Sequence, residues 1–330
     1  SHPTSNNTRK GDYQFIVMLQ RLMANPTKAL HTTFLLVWLC VSSIPVHAQP
    51  TYSPVTQDLL KFDSDFPATM NELTIMSDES RMYGVIYIAQ GEGPHPTVLL
   101  LHGLPGNEKN FDLAQAMRRA GWNVLTFHYR GSWSSEGDYA ISHCLEDVHA
   151  TLSFLRNEEM AQKYRVKADE IVLIGHSLGG FAALMAAQED ENIQSVASMA
   201  GVNFRIAIDE TKMDTPEGFE SMRQAFDESV SFLNATSGEA LLNEILDHRE
   251  EWDLLNYVDQ FAEKSILLIG GTRDPVVPVS SHITLLAEEI IKAGGKQVKP
   301  VALESDHAFS DRRIELAHIL VSWLAEQRSP

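Results

Sequence analysis

Cysteine is scarce in this sequence: Cys40 and Cys144 are the only two in 330 residues. A disulfide-stapled scaffold is therefore excluded. No C-x-x-C or H-E-x-x-H spacing occurs, which removes the common zinc signatures, and no phosphate-binding G-x-x-x-x-G-K-[ST] loop is present. Positive charge is also short, with 26 Lys and Arg against 44 Asp and Glu and a formal net charge of −18. A chain this acidic repels phosphate backbones and anionic lipid, so nucleic-acid and membrane-surface partners are not expected. There is no internal repeat and no low-complexity tract.

Long apolar runs are missing as well. The best one, residues 33–41, is too short to cross a bilayer as a helix. It follows the basic Lys28 and leads to the small-residue end Val46-His47-Ala48, which is the anatomy of a secretory signal peptide starting at Met23. On this reading residues 1–22 are upstream sequence, 23–48 a signal peptide, and 49–330 an exported domain, periplasmic or secreted. An uncleaved anchor is the alternative. Cleavage would remove Arg9, Lys10, Arg21 and Lys28 against Asp12, taking the net charge from −18 to −21. Cys144 would then stand alone, and no stable membrane anchor is expected.

What the chain does have is a regular alternation of apolar runs and helical periods. Residues 72–76 and 81–89 read as an antiparallel edge pair, and 97–101, 122–127, 171–174, 193–200, 266–270 and 296–303 as further strands. Helical patterns fall at 111–120, 141–163, 178–187, 279–293 and 312–325. Such alternation predicts the α/β class, a mostly parallel sheet with helices on both faces. Residues 205–264 break the rhythm with a helical insertion carrying 15 acidic and 5 basic residues. Its apolar members Phe226, Phe232, Leu233, Leu241, Leu242, Ile245, Leu246 and Trp252 either line a pocket or pack on the body of the domain. The acidic surface of the insertion should disfavour anions near any entrance it covers.

The chemistry concentrates around Gly175-His176-Ser177-Leu178-Gly179, a G-x-S-x-G pattern with a strand before it and a helix after it. A serine hydroxyl becomes a nucleophile only when a base takes its proton and a third group orients the base. Asp274, in Gly270-Gly-Thr-Arg-Asp274, follows one strand directly. His307, in Glu304-Ser-Asp-His307, follows the last. The order Ser177, Asp274, His307 fits this nucleophile pattern, and the adjacent Asp306 ranks below Asp274 as the orienting group. The loop His102-Gly103-Leu104-Pro105-Gly106 follows the third strand. Oxyanion donors are expected from the N–H groups of Leu178 and Leu104, with Gly103 as the alternative because Pro105 has none to give. His102, Gly103 and His176 are candidates for lining the substrate site, with His102 expected to brace its loop rather than take part in catalysis. His143 and His149 read as surface residues.

With these residues in hand, the chain resembles the α/β-hydrolase superfamily over residues 70–328, at His102-Gly103, Gly175-x-Ser177-x-Gly179-Gly180, Gly-Thr-Arg-Asp274 and His307. Tyr129-Arg130-Gly131 with the His-Gly loop looks like the dienelactone-hydrolase and prolyl-oligopeptidase-like branch. Peptidases of that branch more often carry Tyr after the nucleophile, whereas Gly-His-Ser-Leu-Gly looks like esterases and lipases. The resemblance implies an α/β-hydrolase fold with a helical cap at about 205–264. It also implies a cofactor-free and metal-free serine esterase acting on small-molecule carboxylic esters of small to medium acyl length. A prolyl-oligopeptidase-like peptidase or amidase, and a non-catalytic binding protein on the same scaffold, are the alternatives.

Overall fold

Strand β3 (His95–Leu101) is continuously apolar from Val98 to Leu101 because both of its faces are covered. The computed structural model describes residues 52–328. The signal peptide expected at 23–48 and the residues before it lie outside the described residues. Eight strands form one sheet in the order β1-β2-β4-β3-β5-β6-β7-β8. β1 (Thr69–Ser77) and β2 (Ser80–Ile88) form the expected antiparallel edge pair, and β2 also runs antiparallel to β4 (Asn123–Phe127). The remaining pairs are parallel: β3 with β4 and β5 (Val166–His176), then β6 (Ser195–Met199), β7 (Ser265–Gly271) and β8 (Val298–Leu303).

Side chains alternate across a strand, so successive residues feed opposite cores. Leu99, Leu101, Leu125, Ile171 and Leu173 face one core, together with helices α2 (Ile141–Arg156) and α4 (Leu178–Glu189) and the insertion. Val98, Leu100, Val124, Val172 and Ile174 face the other, closed by α1 (Phe111–Arg119) and the C-terminal helix Arg313–Glu326. Helix α4 is buried on all sides from Leu178 to Ala187, which accounts for its lack of polar residues there.

Two sequence expectations need correction. The helix expected over 141–163 is broken, because Asn157 is extended and its side chain accepts from Met160 N–H, capping a separate helix α3 (Glu158–Lys163). The helix expected over 279–293 opens with a π-helical turn, Val279–Thr284, before Leu285–Lys292 becomes α-helical. The insertion between β6 and β7 is helical as read: α5 (Phe204–Thr211), α6 (Pro216–Val230), α7 (Gly238–Asp247), a 3-10 turn and α8 (Val258–Ala262). Leu233, Leu241, Leu242, Ile245 and Trp252 are buried, with Phe226 and Leu246 packed against them. Seven of the eight apolar residues thus bind the insertion to the body, and Phe232 alone stays open to solvent.

The loop after β4 is held by a buried ion pair. Arg130 Nε donates to Asp147 Oδ1 at 2.6 Å and its backbone N–H to Asp147 Oδ2 at 2.8 Å, while Glu146 pairs with the same guanidinium from outside. Removing one partner would strand a buried charge. Asp147→Ala should therefore cost about 3–5 kcal/mol of unfolding free energy, read as a lowered urea midpoint.

Candidate active site

Ser177 joins β5 to α4 with φ 56° and ψ −120°, a conformation that non-glycine residues avoid. Glycine makes the turn possible. A Cβ on Gly175 would stand 1.9 Å from the Gly179 carbonyl oxygen, and one on Gly179 would stand 2.4 Å from that of Leu101. The three backbones meet at distances no side chain permits, and the serine is lifted out of the sheet at the carboxyl end of its strand. As the first residue of α4, Leu178 has its N–H free of any intrahelical acceptor. Gly103 lies against the nucleophile: a Cβ there would come within 2.9 Å of Ser177 Cβ and 3.5 Å of its Oγ. Leu104, next along the same loop, is half-buried.

Asp274 follows β7 and its side chain is fully buried. Burial alone would raise its carboxyl, but the hydrogen bond to His307 and the N–H groups of Val276 and Val277 outweigh that and hold it below the ordinary value. His307 Nδ1 lies 2.6 Å from Asp274 Oδ2. An ionised carboxylate only accepts, so Nδ1 carries the proton and Nε2 keeps its lone pair. His176 ties this ring to the serine: its Nε2–H donates to the His307 carbonyl at 2.8 Å, and the two rings stand 5.0 Å apart. No hydrogen bond joins Ser177 Oγ to the His307 ring in this structure; such contacts commonly tighten when substrate binds. Asp306 accepts from Ser310 N–H at 2.8 Å and so fixes the turn that follows His307 rather than its ring.

A family model described as alpha/beta hydrolase fold matches residues 96–255. Among solved structures, an esterase of Pyrococcus furiosus superimposes with a TM-score of 0.58 at 18% identity, over 83% of this chain and 97% of that one. A Pyrococcus horikoshii acylaminoacyl peptidase gives 0.59 at 17% identity, over 81% of this chain and 42% of that one. Among curated proteins, the 2,6-dihydropseudooxynicotine hydrolase of Paenarthrobacter nicotinovorans is 27% identical over 165 residues, 48% of this chain and 41% of that protein. An sn-1-specific diacylglycerol lipase of Xenopus tropicalis is 32% identical over 114 residues, 33% of this chain and 32% of that protein. These matches span less than half of either curated relative. The chain has the α/β-hydrolase fold.

Within this fold His102 and His176, candidates for lining the substrate site, turn inward, and His102 braces its loop as expected. Both are buried. His102 Nδ1–H donates to the Gly103 carbonyl at 2.8 Å, and its ring packs edge-on against Tyr129. Each imidazole therefore holds a backbone segment of the site: His102 the loop beside the nucleophile, His176 the loop of the base. The hydrolase also contains a polar bridge that no sequence pattern announced. His282, on the π-turn after Asp274, accepts from Asn203 N–H at 3.0 Å through Nδ1, and its Nε2 lies 3.1 Å from Glu210 of α5. Isolated polar residues far apart in sequence carry no periodicity, so only the fold reveals them.

Burial lowers His102 to about 3 and His176 to about 4, well below the ordinary 6.5. The unfolded chain therefore binds protons that the folded hydrolase refuses between pH 6.5 and about 4. Stability present above that window falls as the pH drops through it, on the order of 1 kcal/mol per pH unit for each histidine. Urea titrations at pH 7 and pH 5 should show a lower midpoint at pH 5, and His102→Phe should make that drop smaller.

Proposed function

We propose that this α/β-hydrolase is a serine hydrolase of carboxylic esters with Ser177 as nucleophile, His307 as base and Asp274 as its orienting group. The observation that carries this reading is the 2.6 Å Asp274–His307 bond on loops tied to the strained Ser177 turn. In the proposed reaction His307 Nε2 takes the hydroxyl proton as Ser177 Oγ attacks the ester carbonyl. The N–H groups of Leu178 and Leu104 then stabilise the oxyanion. His307 returns the proton to the departing alcohol, leaving an acyl group on Ser177. Water deprotonated by the same ring releases the acid and restores the hydroxyl. No step calls for a metal or a cofactor.

The Gly-His-Ser-Leu-Gly elbow and the likeness in fold to the Pyrococcus furiosus esterase favour esters. The peptidase likeness covers only 42% of that longer chain, which makes an amide substrate the weaker reading. The basic-flanked apolar segment in residues 23–48 supports export of the enzyme. Ser177→Ala should reduce kcat on p-nitrophenyl acetate by roughly 10³-fold or more while leaving the thermal midpoint near that of the parent. A fluorophosphonate probe should label the parent and not this variant. Near-parental turnover by Ser177→Ala would overturn the assignment.

A further inference from the structure

Trp133 lies on the loop between β4 and α2, and two features set it apart. Its φ of 54° is in the left-handed region, rare for so bulky a residue, and 43% of its surface is exposed. Its ring centroid stands 5.2 Å from that of Phe232, which is 48% exposed and belongs to the segment between α6 and α7. Backbone hydrogen bonds lock the two segments together. Asn234 N–H donates to the Gly131 carbonyl at 2.7 Å, and Tyr139 N–H donates to the Asn234 carbonyl at 3.0 Å. The Asn234 side chain adds a bond to the Gly137 carbonyl at 2.6 Å. Trp133 Nε1–H donates to the Pro105 carbonyl at 3.1 Å, on the loop whose Gly103 borders Ser177 Oγ. The exposed aromatic pair is thus a fixed wall beside the candidate active site.

The charge there runs against the rest of the molecule. Lys109 Nζ sits 4.0 Å from the Trp133 ring centroid and forms no ion pair among the described residues. Around it, Lys109, His128, Trp133, Ser134 and Phe232 line an open cleft of about 570 Å³ that includes no carboxylate. Two acidic residues of the insertion, Glu220 and Asp227 of α6, pair with Arg223. In a chain of net charge −18, an unpaired ammonium over an exposed indole calls for an anionic partner.

We propose that this cleft is the recognition site for an aromatic substrate group bearing a carboxylate, with its ring against Trp133 and Phe232 and its anion on Lys109. The assignment rests on the ester-hydrolase reading for its link to turnover. Half-burial strips water from the ammonium and lowers the Lys109 pKa, so an incoming carboxylate meets a weakly screened charge. Flat, rigid aromatic faces add contact area for a planar group. An uncharged aliphatic ester would use neither feature. The acidic insertion, read from sequence as a barrier to anions, is then offset locally by this one cation.

Binding can be measured apart from turnover. In the full chain carrying Ser177→Ala, calorimetric titration with monomethyl terephthalate and with methyl benzoate should show the charged ester binding roughly tenfold tighter. Adding Lys109→Met should abolish that preference, Lys109→Arg should retain it, and Trp133→Ala should weaken both ligands. Equal binding of the two esters, or a preference that survives Lys109→Met, overturns the proposal. In the otherwise unaltered enzyme, Lys109→Met should raise KM for monomethyl terephthalate with little change in kcat. If the binding pattern holds while neither ester is cleaved, the cleft assignment stands and the ester reading fails.

Discussion

The close approach of three backbones at the β5–α4 junction is the constraint on which the rest of the site depends. Gly175, Gly179 and the carbonyl of Leu101 occupy space that any side chain would fill. Because they can meet, α4 starts immediately behind the nucleophile and the Ser177 backbone is held at positive φ. Strain of this kind persists only where the surroundings over-determine it. Here the surroundings are β3 and β6, with the Ser177 N–H bonded to the Met199 carbonyl at 2.9 Å, and a helix buried on all sides. Loops from β3, β7 and β8 then leave the sheet at the same end as Ser177, because parallel strands end on the same side.

Much of this was legible in the sequence, and the reasons are physical. Continuous apolar strands and amphipathic helices advertise a doubly covered parallel sheet, and the edge hairpin announces itself by a polar turn between two alternating runs. The residues proposed for catalysis sit just past strands, so position and order were enough to single out Ser177, Asp274 and His307. Boundaries were less readable. The break at Asn157 depends on a side chain preferring a cap over a continued helix, a choice decided by a few tenths of a kcal/mol to about 1 kcal/mol. Ring orientation beside the nucleophile was unreadable for a different reason. Sequence places His102 and His176 beside the reacting centre, but it does not say which way a ring points, and both turn inward to hold backbone carbonyls.

Those inward rings explain how loops can act as a rigid frame. The segment carrying His307 is anchored through His176, the segment carrying Gly103 through His102, and the beginning of the insertion through His282 and Asn203. Each imidazole sits where its neutral form is favoured, so it can hold a backbone group without leaving a buried charge. The arrangement exchanges acid stability for precision: protonating any of these rings would place a charge inside the frame.

The insertion bears on specificity through rigidity as well. Trp252 packs with Phe181 of α4 and Phe204, while Glu244 of α7 accepts from the N–H groups of Ile141 and Ser142 at the start of α2. One end of the insertion is thus fused to the hydrophobic core and another caps a body helix. An element fixed at both places does not need to fold over a substrate to become ordered, and its contribution to recognition falls to the few side chains left outside its own packing. Phe232 is the large apolar residue that remains, and it faces Trp133 across a gap set by backbone hydrogen bonds. Selectivity in this hydrolase is therefore expected to come from a preformed wall and a single cation rather than from closure of a lid.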